Sequence, residues 1–171
     1  MLRGAVPRHA DLRKLAAAGG AISGSIPLAA LERVRGELAT DAGAVEIDLR
    51  FGIDEEGYRV IEGTVSATLE LVCQRCLESV SVPVSSELHL AMVWSEDEIP
   101  SLPSRFEGLV VGTDAADLFE LVEEELLLAL PLVPRHEAAQ CGAPRGGGSH
   151  EALEPVARPF EALARLKNKS A

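Results

Sequence analysis

From Ala44 the chain alternates: Val45, Ile47, Leu49 and Phe51 are apolar, and Glu46, Asp48 and Arg50 between them are charged. A period of two sends successive side chains to opposite faces, so this stretch predicts a half-buried strand. Asp54, Glu55, Glu56 and Gly57 then read as a turn, and extended segments follow over Tyr58 to Ile61 and Gly63 to Val72. Val65, Ala67, Leu69 and Leu71 share one face, which runs on to Cys73, while Thr64, Ser66, Thr68 and Glu70 point the other way. Gly63 interrupts the pattern and suggests a bulge. Alternation resumes at Val80, Val82 and Val84, where Pro83 lacks a backbone donor and suggests a sheet edge, and again at Leu88, Leu90, Met92 and Trp94. Short turns between these runs predict an antiparallel meander, because parallel pairing needs long crossovers.

Elsewhere the period is helical. His9 to Ala18 forms a short amphipathic helix through Leu12, Leu15 and Ala16, closed by Gly19 and Gly20. Pro27 suits a helix start, and Leu28, Leu31, Val34 and Leu38 recur at helical spacing behind it, with Ile22 to Ile26 as a short strand between the two helices. Ser95 to Thr113 reads as a surface excursion. The strongest helix follows, with Asp114 as its cap, Asp117 in its first turn, an apolar face of Leu118, Leu121, Val122, Leu126, Ala129 and Leu130, and Pro131 as its stop. Glu123, Glu124 and Glu125 fall mid-helix, so at least one carboxylate meets the apolar boundary; the run is either a solvated face or a site for a cation or an arginine.

The fold expected is α+β: an antiparallel β-meander or partly open barrel with N-terminal helices and one late helix packed on it. Residues 1–141 form a single domain, 142–158 a flexible linker or loop (GAPRGGGSH is its glycine-rich part), and 159–171 a short helix or docking segment built on Phe160, Leu163 and Leu166.

Composition sharpens the functional choice. A 171-residue chain with 47% hydrophobic residues can bury a core, and with neither a membrane-length apolar run nor a secretory leader the expected location is the cytoplasm. Residues 41–130 hold four basic against 20 acidic residues, a net −16, while residues 1–40 carry +3 and residues 131–171 carry +2. An acidic body repels phosphate backbones and attracts basic partners.

The candidate chemistry lies in the cysteines. Cys73 and Cys76 form a Cys-x-x-Cys turn, and after 59 intervening residues His136 and Cys141 supply two more soft donors, the ligand number of a structural zinc site. Metal-free cysteines, packed or exposed, and thiol redox work are the alternatives, the second without the βαβ setting of a thioredoxin-like site. Arg75 between the thiols is either an exposed turn residue or a group that meets a carboxylate or phosphate. His9, His89 and His150 lack partner groups in the sequence and read as surface or core-edge imidazoles. A nucleophile elbow, a phosphate-binding P-loop and a His-Glu-x-x-His helix are all missing, so a non-enzyme is expected.

These motifs also carry a resemblance. With CQRCLE at Cys73 to Glu78, EEELLLALPLVPRH at Glu123 to His136, then Cys141, the terminal PFEALARLK at Pro159 to Lys167 and the early GSIPLAALERV at Gly24 to Val34, the chain resembles the bacterial YceD family, the large ribosomal RNA subunit accumulation proteins. The resemblance marks Cys73, Arg75, Cys76, Glu123, Glu125, Pro131, Pro134, His136 and Cys141, and it departs at Gly146 to Gly148 and in the sparse charge of the tail. It implies a part in the synthesis, processing or stability of large-subunit ribosomal RNA. Joined to the charge distribution, it predicts a non-enzymatic biogenesis factor that escorts a basic ribosomal protein, with Arg75, Glu123 and Glu125 as candidate partner contacts and Cys73, Cys76, His136 and Cys141 as candidate ligands of a structural zinc. The alternatives are a direct RNA-binding module using Arg75 and the basic termini, or a zinc or thiol redox protein.

Overall fold

The alternating segments become strands that are longer and more continuous than their punctuation suggests. A computed structural model describes residues 2–3, 5–113, 115–137 and 141–142. In chain order the strands are β1 (Leu2–Arg3), β2 (His9–Ala10), β3 (Ala21–Pro27), β4 (Leu38–Thr40), β5 (Ala44–Ile53), β6 (Arg59–Val72), β7 (Ser79–Val93), β8 (Glu107–Val110) and β9 (Ala116–Asp117). The helices are α1 (Leu12–Ala18), α2 (Glu32–Arg35) and α3 (Leu118–Ala129). The fold is α+β, as the sequence predicts.

One open sheet runs β1-β3-β5-β6-β7-β8, with β4 paired to the far half of β6. The sheet does not close on itself, in keeping with the expected meander or partly open barrel. The antiparallel order is also incomplete: β1 pairs with β3 and β8 with β7 in parallel, so the excursion after Ser95 returns to the sheet edge as a strand. It contains a 3-10 turn as well, over Glu96–Ser101. The two pieces expected on each side of residue 62 are one strand of 14 residues, and the two expected after Ser79 are one strand of 15. Pro83 lies opposite Thr68, in a part of β7 that β8 does not reach, which agrees with an edge position.

Gly63 is not a bulge. Its register is unbroken on both sides, opposite Leu49 and Leu88. With φ at 155° the residue turns the position of a side chain onto the Asp48 carbonyl of the neighbouring strand, and no Cβ fits there.

Register places Ile47 beside Val65, and Phe51 beside Ile61 and Leu90, on one apolar face. α1 lies on β5 and β6, and α3 on β7 and β6, so this face becomes the core. The fully buried Leu118, Val122 and Leu126 anchor α3, each worth about 1.5 to 3 kcal/mol of burial. The first expected helix is shorter than its pattern: Asp11 caps α1 by accepting from the Lys14 amide at 3.0 Å, and Gly19 ends it in the left-handed conformation at φ 61°, leaving His9–Ala10 to pair with β9. The second is only a 3-10 turn (Leu28–Ala30) and the four-residue α2, because Leu38 joins β4 instead of continuing the helix.

The cap of α3 is Asp117, whose Oδ1 accepts from the amides of Phe119 at 2.8 Å and Glu120 at 3.3 Å; Asp114 lies outside the described residues. Arg8 pairs with Asp117 at 2.9 Å, and the Leu118 amide donates to the Arg8 carbonyl at 2.7 Å. The expected linker beyond Gly142 and the terminal helix over residues 159–171 also lie outside the described residues.

Gly63→Ala is expected to destabilise by more than about 2 kcal/mol, while Gly52→Ala, where a Cβ meets no atom within 4 Å, stays within about 0.5 kcal/mol of wild type in urea denaturation. Burial pushes the Asp117 carboxyl up, but the hydrogen bonds from Arg8 and the two amides outweigh it and hold the group below the usual carboxylate range. Its stabilisation is therefore present at neutral pH and is lost as pH falls through the depressed native value. Asp117→Ala is expected to cost about 1 to 2 kcal/mol at pH 7 and less at pH 2, measured by denaturation at both pH values.

Candidate metal centre

β6 and β7 pair out to Val72 opposite Ser79, so the Cys-x-x-Cys turn is the tip of their hairpin. The turn is tight. Leu77 donates its amide to the Cys73 carbonyl at 2.9 Å, and Cys73 donates to the Glu78 carbonyl at 2.9 Å. Closing it puts Leu77 at φ 61°, a left-handed conformation that glycine adopts freely and leucine does not. Leu77 therefore carries the strain of the turn.

The segment leaving α3 lies across this tip. The Gln74 amide donates to the Pro134 carbonyl at 2.9 Å, and His136 and Cys141 arrive beside the turn. Cys73 Sγ lies 3.8 Å from Cys141 Sγ, Cys76 Sγ lies 3.4 Å from His136 Nδ1, and all four donor atoms fall within 4.8 Å of one another. The structure therefore brings together the four side chains singled out from the sequence. Cys73 and Cys76 are buried and all three cysteines are free thiols.

His136 Nε2 lies 2.9 Å from the Ser79 carbonyl. A carbonyl only accepts, so Nε2 carries the proton and the Nδ1 lone pair faces the sulfurs. Burial pushes the Cys73 thiol up, but hydrogen bonds from the backbone amides of Cys76, Arg75 and His136 oppose it and hold the group below its usual value. Cys141 moves the opposite way: burial, then its hydrogen bonds and charge repulsion with Cys76 and Cys73, push it up to about 11. One thiolate suppresses the ionisation of its neighbours, and the cluster is an electron-rich pocket that a cation would relieve.

The other candidate residues separate by location. Arg75 is exposed on the turn. Glu123 and Glu125 are buried and engaged internally: Arg33, in the first turn of α2, donates its amide to Glu123 at 2.8 Å, and Ser86 donates its hydroxyl to Glu125 at 2.6 Å. Leu31 offers no side-chain cap for α2, so a carboxylate from α3 satisfies that helix start instead. Only Glu124 of the triplet is exposed, 3.6 Å from the Arg33 guanidinium. These tethers were not readable in the sequence, because both donors come from elements distant in the chain.

The acidic surplus sits mainly outside. On the face of the sheet opposite the core, Glu46 and Asp48 of β5, Glu62 of β6 and Glu87 of β7 are exposed, with Arg50 and His89 beside them. None of these four carboxylates joins an ion pair among the described residues. Three N-terminal cations, in contrast, have partners: Arg8 with Asp117, Lys14 with Asp11 at 3.0 Å, and Arg13 with the Thr113 carbonyl at 2.7 Å and the Trp94 ring at 4.9 Å. No helix of the described residues is long and apolar enough to cross a membrane.

Comparison with known proteins agrees with the motif pattern. A family model described as large ribosomal RNA subunit accumulation protein YceD matches residues 61–167, which include the turn, the acidic triplet, His136 and Cys141. The chain belongs to the YceD family. A curated relative, the large ribosomal RNA subunit accumulation protein YceD of Haemophilus influenzae, is 32% identical over 144 residues, covering 81% of this chain and 83% of its own. No solved structure matches.

The strain at Leu77 is testable, because its side chain is 68% exposed and contributes little packing. Leu77→Gly is expected to leave stability unchanged or raise it by up to about 1 kcal/mol, while Leu77→Val lowers it by at least about 1 kcal/mol, both read from denaturant midpoints.

Proposed function

We propose that this chain supports the accumulation of large-subunit ribosomal RNA in the cytoplasm without catalysing a reaction, by shielding a basic ribosomal protein until RNA displaces it. Family membership supports the first part, since both the matching family model and the relative from Haemophilus influenzae carry that description. The exposed face bearing Glu46, Asp48, Glu62 and Glu87 supports the second. These carboxylates project from adjacent strands of one rigid sheet, so a cationic partner meets several charges at once without ordering a flexible segment. RNA carries denser negative charge than this face and competes for the same cations, which gives the complex a route to release. The occupied state of Arg8, Arg13 and Lys14 argues against the N-terminal end as an RNA-binding surface.

The test is capture on the full chain at low salt from ribosome-depleted lysate, with and without nuclease. The expected catch is a basic large-subunit protein whose binding survives nuclease, weakens with salt, and falls about tenfold or more in a Glu46→Lys, Asp48→Lys, Glu62→Lys variant. Retention of RNA alone, lost on nuclease treatment and weakened by Arg75→Glu, would mean that the chain is an RNA-binding module and that the escort reading is wrong.

A further inference from the structure

We propose that Cys73, Cys76, His136 and Cys141 bind one zinc ion, which clamps the tip of the β6–β7 hairpin to the segment leaving α3.

The distances carry the assignment. Tetrahedral zinc with Zn–S near 2.3 Å and Zn–N near 2.0 to 2.1 Å sets two bound sulfurs about 3.8 Å apart and a sulfur and a nitrogen about 3.5 Å apart. The corresponding separations here are 3.8 Å for Cys73 and Cys141 and 3.4 Å for Cys76 and His136. Four donor atoms within 4.8 Å of one another leave room for one shared ion and no second. Cysteines buried only for packing would face carbon; these three turn their sulfurs towards each other and towards an imidazole nitrogen.

The surroundings are those of a ligand set. The Ser79 carbonyl at 2.9 Å holds the His136 tautomer that leaves Nδ1 free to donate to a metal, the arrangement in which an outer hydrogen bond orients a ligating histidine. Three thiolates and one neutral imidazole bring the charge of Zn²⁺ to −1, and the thiol protons leave to solvent on binding. Soft sulfur donors in a tetrahedral set favour zinc over the hard cations that take oxygen ligands.

The consequence is structural. Cys76 and His136 are 60 positions apart, and the direct backbone hydrogen bonds between the hairpin tip and the segment include only that from Gln74 to Pro134 among those described. An ion shared by both pieces closes this long loop and fixes where the chain goes after α3.

The experiment uses the full chain, purified under reducing conditions without chelator, dialysed against zinc and then freed of excess. Mass spectrometry of metals is expected to find one zinc per chain, and cobalt in its place should give the thiolate charge-transfer band of a sulfur-rich tetrahedral site. Cys76→Ser is expected to lower zinc affinity at least about 100-fold, since even outer-shell changes cost about 10- to 100-fold. Should that variant fail to fold, Cys141→His and His136→Cys keep four donors and are expected to retain one zinc, with the cobalt band weaker in the first and stronger in the second. Chelation of the wild type should speed amide hydrogen exchange at residues 73–79 and 131–137 and leave the interior of β5 and β6 protected. Folded wild type without stoichiometric zinc, a Cys73–Cys141 disulfide in the reduced preparation, or zinc content and affinity unchanged by Cys76→Ser would each overturn the proposal.

Discussion

The long antiparallel pairing of β6 with β7, from Val60 opposite Ala91 to Val72 opposite Ser79, is the constraint on which the rest of the molecule depends. Alternation along most of both strands gives the sheet one apolar face and one charged face, and a slip of one residue would exchange them. The same pairing carries the ladder far enough beyond β5 that its tip projects past the neighbouring strand, where the Cys-x-x-Cys turn closes it. Gly63 belongs to this constraint, because an unbroken register at that point requires the backbones of β5 and β6 to approach more closely than a side chain permits. Helix α3 then settles on the apolar face and directs the following residues back towards the hairpin tip.

Two kinds of acidic residue result from this arrangement, and their energetics differ. A carboxylate brought into the protein needs donors that hold its charge, and Glu123 and Glu125 find them in the start of α2 and in the Ser86 hydroxyl. They position α3 between α2 and β7, which is a structural task. Glu46, Asp48, Glu62 and Glu87 remain in water, where their mutual repulsion costs little and their combined field reaches outward. The excess of negative charge on the middle of the chain is thus largely external. The positive charge of the N-terminal region, in contrast, is partly consumed at the β2–β9 junction by Asp117 and in the stacking of Arg13 on Trp94.

The sequence alone determined the α+β class, the core face of β5 and β6, the burial of Leu118, Leu121, Val122 and Leu126, the acidic surplus and the family, because each is a local or periodic property. It also singled out Cys73, Cys76, His136 and Cys141, since donor type and family motif do not depend on distance. It misplaced the elements where local signals compete with long-range pairing. Leu38 keeps helical spacing with Leu28 and Val34 yet pairs with Leu71, and Glu107 to Val110 carry turn punctuation on both sides yet extend the sheet beside β7. Only the tertiary structure decided that Glu123 and Glu125 point inward, that Leu77 takes the left-handed position usually given to glycine, and that the four donors share one small volume. The physical reason is that hydrogen bonds and close sulfur and nitrogen contacts join residues 39 to 90 positions apart, and the return of the chain over that separation is settled by packing, which no local pattern encodes.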